Sequence, residues 1–233
     1  MIHAVLGLMT VLGLAVTALA QGVDTPIERY RQAVNAGQTG GVRGRAFEER
    51  RKPSSPDLPL AGTHVALLPR SDAWLTRLEA VKRGARESAN AFRDAASSMR
   101  KSREAYEKSL WQAGAGDLPL SATVDADGVF SLDGVPAGRW VLFASRSTYV
   151  DRTTQVRPPL PGSPPRSPPP PSPFLPADKL AGYHVVTYWL REITVAPGAP
   201  EAVELTDRNV WFTGVIESRQ APRLPDTPYV PPR

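Results

Sequence analysis

Spacing of apolar residues divides the chain into stretches of different character. From Ala4 to Ala20 every residue is apolar or small and uncharged, and the run closes with Ala18-Leu19-Ala20. This is the h-region and A-x-A cleavage pattern of a secretory signal peptide over residues 1–20. Gly7, Thr10, Gly13 and Thr17 interrupt a run of only 17 residues, short of the ~20 apolar residues a membrane span needs. Cleavage is therefore expected, and no later stretch is apolar enough to span a membrane. Residues 21–39 read as a short helix and linker. Thr25 offers an N-cap, Pro26 suits the first turn and Glu28 completes a T-x-x-E box. Ile27, Tyr30 and Val34 follow at helical spacing, and Gly37 ends the element.

After Gly41 the period becomes two: Val42, Gly44 and Ala46 alternate against Arg43, Arg45 and Phe47, which predicts a first strand. Thr63 to Leu68 predicts a second, stopped by Pro69. From Ser71 to Trp111 there is no proline, and apolar residues fall three and four apart at Trp74, Leu78, Val81, Ala85, Ala89, Phe92, Ala96, Met99, Tyr106 and Leu110. As one helix this insertion (71–113) would be about 60 Å long at ~1.5 Å per residue, so it must project or fold back, and Gly84 is its interior breaker. Leu120–Val124 and Val129–Leu132 flank Asp127-Gly128 and predict a hairpin. Asp133 to Gly138 reads as a second tight connection, and Arg139 to Ser145 as a buried strand. Eleven prolines between Pro158 and Pro176 exclude helix and central strand, so residues 156–177 are expected to be a Pro-rich spacer or surface loop. Tyr183–Val195, Glu201–Leu205 and Val210–Ile216 supply the last strands, and residues 218–233 read as a disordered tail. These elements predict a mainly β fold: an antiparallel seven-stranded β-sandwich over residues 40–217, carrying a long α-helical insertion and a Pro-rich loop.

Gly41-Val42-Arg43-Gly44, Pro59-Leu60-Ala61-Gly62-Thr63-His64-Val65-Ala66-Leu67 and the run from Thr123 to Leu142 also resemble a known group. The last contains Asp125-Ala126-Asp127-Gly128-Val129-Phe130-Ser131-Leu132-Asp133-Gly134-Val135-Pro136-Ala137-Gly138. Together they are similar to carboxypeptidase regulatory-like, transthyretin-like domains, which share a prealbumin-type, carbohydrate-binding-like fold. The resemblance covers residues 40–150 and departs at the helical insertion and the proline block. It implies a prealbumin-like sandwich and a non-catalytic accessory role.

Composition narrows the function. There is no cysteine, which removes disulfides, thiolate metal sites and a lipidated N-terminus. The formal charge of +5 points, in an exported chain, to weak attraction for anionic envelope polymers or lipid headgroups, or to solubility alone, and not to nucleic acid. Localisation is expected to be periplasmic or extracellular. Only His64 and His184 follow the signal, and there is no H-E-x-x-H, G-x-S-x-G or phosphate loop. Asp125, Asp127 and Asp133 cluster, but turn chemistry accounts for them without a calcium ion. No catalytic residue, metal ligand or cofactor is therefore assigned.

Aromatics crowd the C-terminal strands. Neighbours in a strand face opposite sides, so Tyr188 and Trp189 cannot share one core, nor can Trp211 and Phe212. One of each pair is expected at the surface unless the helical insertion covers it. Tyr188, Trp189 and Trp211 are the candidate ligand-binding residues. Trp74, Leu78, Phe92, Met99 and Tyr106 form the apolar stripe of the insertion, to be buried on the sandwich or offered to a partner, including a second copy of the chain. Two functions follow: an interaction or scaffold module of the cell envelope with an unknown protein partner, or a carbohydrate-binding module whose exposed aromatics meet a polysaccharide. An enzyme using the aspartate cluster with His184 is the weakest reading.

Overall fold

A computed structural model describes residues 24–50, 56–151 and 182–218. The expected signal peptide, the proline block and the tail beyond Ser218 lie outside the described residues. Among the described residues three α-helices, α1 (Ile27–Asn35), α2 (Asp72–Gly84) and α3 (Ala89–Gln112), accompany nine strands. The first sheet contains β1 (Thr39–Glu48), β2 (Leu58–Pro59), β5 (Val129–Pro136) and β8 (Pro200–Thr206). The second runs in the order β4 (Leu120–Thr123), β3 (His64–Pro69), β6 (Gly138–Asp151), β7 (Gly182–Val195), β9 (Phe212–Ser218).

The result is mainly β and sandwich-like, with more strands than the seven expected; β2 spans two residues and has no periodic signal. One pairing breaks the antiparallel rule, because β8 lies parallel to β1 from Gly41↔Pro200 to Phe47↔Thr206. A further expectation is corrected. Residues 120–132 do not form a hairpin: β4 pairs with β3 in the second sheet, while β5 pairs with β1 in the first. The Asp125 carboxylate accepts from the backbone N–H of Asp127 (3.0 Å) and Val129 (2.8 Å). That turn satisfies its own donors, so the chain can leave one sheet for the other. The same happens at Pro136-Ala137-Gly138, where the Ala137 N–H donates to the Gln38 carbonyl at 2.8 Å.

The inner face follows the period-two pattern. Val42 and Ala46 of β1 meet Phe130 and Leu132 of β5 and Trp140, Leu142 and Ala144 of β6 in one buried cluster. Gly44 stands opposite Phe130. A Cβ at Gly44 would fall 2.1 Å from the Phe130 ring, so the ring lies over bare backbone. α1 closes one end of this core: Tyr30 meets Trp140 edge-on at 4.9 Å, and its hydroxyl donates to the Arg139 carbonyl. The anticipated Thr25 cap is not formed. Pro26 occupies the cap position with no side-chain bond, because the buried Thr25 hydroxyl is engaged 2.6 Å from that of Tyr106, on α3.

A second apolar layer lies on the far side of the second sheet. Leu68, Val141, Phe143, Val186 and Tyr188 face Trp74, Leu78, Ala96, Met99, Tyr106 and Leu110. The insertion therefore folds back as two helices. Ser71 caps α2 by accepting from the Trp74 N–H, and Ser88 caps α3 by accepting from the Ala91 N–H. The chain reverses between Gly84 and Ser88.

Candidate functional site

With α2 and α3 over it, the second sheet is buried on both faces. Strand alternation still holds, but neither side is left free. Trp189 points into the sandwich and donates from Nε1 to the Thr206 carbonyl at 2.8 Å. Tyr188 points the other way and donates to the Ala96 carbonyl of α3 at 2.9 Å. Each is only 2% exposed, so neither offers a ring face to solvent, which corrects their place as candidate ligand-binding residues. Trp211 is half-buried; its Nε1 donates to Glu79 Oε1 at 3.0 Å, and the Lys82 ammonium sits 4.7 Å from its ring centroid. A sugar ring would have to displace that ammonium.

The proposed partner-binding stripe is likewise spent within the chain. Trp74, Leu78, Met99 and Tyr106 are buried against the sheet, Trp74 stacking on Tyr106 at 4.9 Å, while Phe92 keeps 39% exposure. Burying such side chains contributes roughly 1.5–3 kcal/mol each, so a free stripe would cost more than an occasional partner returns.

Among the openings beside the helical layer is a cleft of about 170 Å³ between α3 and the sheet. Register builds its floor. His64 of β3 lies opposite Ser145 of β6, and Ser147 lies opposite Val186 of β7. Phe143, Tyr188 and Ile216 complete the apolar part, and Arg100 and Arg103, one helical turn apart on α3, form the roof. No carboxylate lines the cleft among the described residues. Arg103 Nη1 is 3.4 Å from His64 Nδ1. A guanidinium only donates, so Nδ1 accepts there and the imidazole is neutral. Burial first, and then the Arg103 charge, push the His64 pKa below 6.5. Each arginine shares a glutamate one turn on, Arg100 with Glu104 at 3.8 Å and Arg103 with Glu107 at 3.4 Å. The Arg103–Glu107 contact does not close as a hydrogen bond, and buried Nε of Arg103 has no hydrogen-bond partner. Beside the cleft, the Ser147 hydroxyl is 3.1 Å from His184 Nδ1, and Tyr149 packs edge-on against His184.

The chemistry on offer is donation: two guanidiniums, two hydroxyls and a neutral imidazole. The sequence left all but His64 unmarked, since arginines on a charged helix and serines on a strand are ordinary residues until register brings them together. The aspartates do not join them. Asp125 is used in its turn, Asp133 pairs across strands with Arg43 at 3.4 Å, and among the described residues no three histidines or carboxylates converge as a metal site. A second recess, about 280 Å³, lies beside Arg70, which is already paired with Asp72 and Glu192. No helix among the described residues is long and apolar enough to cross a membrane.

No protein-family model matches the chain, and no curated protein does. Solved structures resemble it, among them two bacterial proteins. One is a proposed carbohydrate binding protein of Pseudomonas aeruginosa, 15% identical, with 72% of this chain and 88% of that one covered at a TM-score of 0.34. The other is the pilus backbone protein of Streptococcus pneumoniae, 15% identical, with 45% and 30% covered at a TM-score of 0.20. Neither likeness assigns a fold family or a function to this chain.

Proposed function

We propose that the chain is an exported, non-catalytic binding module of the cell envelope, a carboxypeptidase regulatory-like sandwich whose helical insertion is one wall of its ligand site. The cleft between α3 and the second sheet carries this reading: it gathers hydrogen-bond donors beneath a helix whose apolar stripe is largely buried on the sheet. A nucleophile–base–acid series is not assembled there. Ser147 meets His184 at 3.1 Å, and among the described residues no carboxylate lines the cleft. The expected partner is an anionic envelope polymer, in line with the formal charge of +5.

Pelleting the full chain with isolated envelope material tests this. Retention is expected, with clear loss for Arg100→Glu, a change at a side chain 53% accessible that leaves the apolar layer untouched. No retention of the unaltered chain, or undiminished retention of Arg100→Glu, overturns the reading. Stacking of neutral sugars on Trp211, still half-buried, is the second reading. It requires Trp211→Ala, and not Arg100→Glu, to release the chain.

A further inference from the structure

We propose that the α3 cleft binds the carboxylate-bearing sugar unit, a uronate residue, of an acidic polysaccharide; this rests on the binding-module reading above. Three observations point to that class. First, the roof is cationic and bidentate in kind. Arg100 and Arg103 are the residue type whose planar donors match an oxyanion, and Arg103 Nε, 3.4 Å from Glu107 Oε1, closes no hydrogen bond there. Secondly, the charge is small. Each guanidinium already shares one glutamate, at 3.8 and 3.4 Å, and His64 is a neutral acceptor towards Arg103. A singly charged carboxylate matches this wall better than a doubly charged phosphate does. Thirdly, the floor mixes the Ser145 and Ser147 hydroxyls with apolar Val186 and Ile216. Hydroxyls beside a charge suit a sugar ring, which carries its own hydroxyls around one carboxylate.

Size agrees. About 170 Å³ is the share of liquid of roughly five or six waters at ~30 Å³ each, and lies below the ~300–1,000 Å³ that encloses drug-sized ligands. The cleft therefore takes one unit of a chain and leaves the rest in solvent. Ring stacking is not part of the recognition, because Phe143 and Tyr188 are only 1% and 2% exposed.

Titration calorimetry on the full chain tests the assignment, with a galacturonic acid oligomer, the neutral galactose oligomer, acetate and inorganic phosphate as probes. The acidic oligomer is expected to bind at least about tenfold tighter than acetate or phosphate, and the neutral oligomer not measurably. Arg100→Gln and Arg103→Gln should each weaken it by about tenfold or more, as loss of a charge-assisted bond implies. Arg43→Gln, on the other sheet and 64% accessible, should leave it unchanged. Arg100 is exposed enough that its variant folds whatever Arg103→Gln does. Equal binding of neutral and acidic oligomers, tighter binding of phosphate, or equal loss in Arg43→Gln overturns the proposal. Envelope retention without uronate binding sinks this assignment and leaves the module reading standing, whereas loss of both sinks both.

Discussion

Gly44 and Phe130 show how one missing side chain sets a packing arrangement. The two stand opposite each other in β1 and β5, and any Cβ at Gly44 would enter the ring at 2.1–2.8 Å. Gly44→Ala is therefore expected to destabilise by about 1–3 kcal/mol, the usual cost of overpacking. In a Phe130→Leu background the same substitution should cost much less, since the obstacle has gone; equal costs by urea denaturation would refute the ring-over-glycine account. His64 sets a different residue-scale expectation. Its pKa is lowered from 6.5 by burial and by Arg103, so the unfolded chain takes up this proton first as pH falls below 6.5. Stability should then decrease through the interval from 6.5 down to the lowered value and level off below it. His64→Gln should flatten that part of a stability–pH profile, and an unaltered slope would show that other groups cause it.

At the scale of elements, the helical pair is fastened to the sandwich by two tyrosine hydroxyls of unequal duty. Tyr106 donates to the Pro69 carbonyl at 2.9 Å and is 2.6 Å from the Thr25 hydroxyl, so it joins α3 to β3 and to the segment before α1. Tyr188 makes one such bond, to Ala96, whose carbonyl also lies within the α3 ladder. Burial raises both pKa values, and the neutral hydroxyl is the bonding form. Tyr106→Phe should therefore cost about 1–3 kcal/mol by leaving partners unsatisfied, and Tyr188→Phe about 1 kcal/mol or less. Thermal melts giving the reverse order would refute this account. The helices themselves were readable from spacing alone, since Trp74, Leu78, Ala96, Met99, Tyr106 and Leu110 recur on one face. The reversal at Ser88 was not, because a serine among charged residues signals a cap only when the chain turns there. Which of Tyr188 and Trp189 is covered could not be read for a related reason. Alternation tells which sides two neighbours face, but what covers each side is set by other elements, as the Tyr188–Ala96 separation of 92 residues shows. The Asp125 turn was likewise legible as a turn and not as a passage between sheets, since its hydrogen bonds are all local.

On the scale of the whole molecule, β6 and β7 form the spine. They pair in continuous register from Gly138↔Val195 to Asp151↔Gly182, β6 carries β3 on its other edge, and β7 carries β9. Both sheets and the helical layer meet on this pair, because Trp140, Leu142 and Ala144 face the sandwich while Val141 and Phe143 face the helices. That double burial is why the run Trp140–Ala144 is apolar at every position, where a half-buried strand would alternate. Residues 152–181, which contain the proline block, connect the two strands, whose ends Asp151 and Gly182 stand side by side. Its presence is thus not needed to bring β6 and β7 together. Replacing residues 152–181 with Asn-Gly, which supplies the type I′ turn of a tight hairpin, should leave the fold intact. Each halving of a loop removes only about 0.6 kcal/mol of closure entropy, so going from 30 residues to a tight turn should stabilise by roughly 2 kcal/mol at most. The shortened chain should melt at the same temperature or a few degrees higher and keep its envelope retention. A chain that no longer folds would show that the proline block packs on the sandwich, and a folded chain that no longer pellets would move the binding surface from the α3 cleft to residues 152–181.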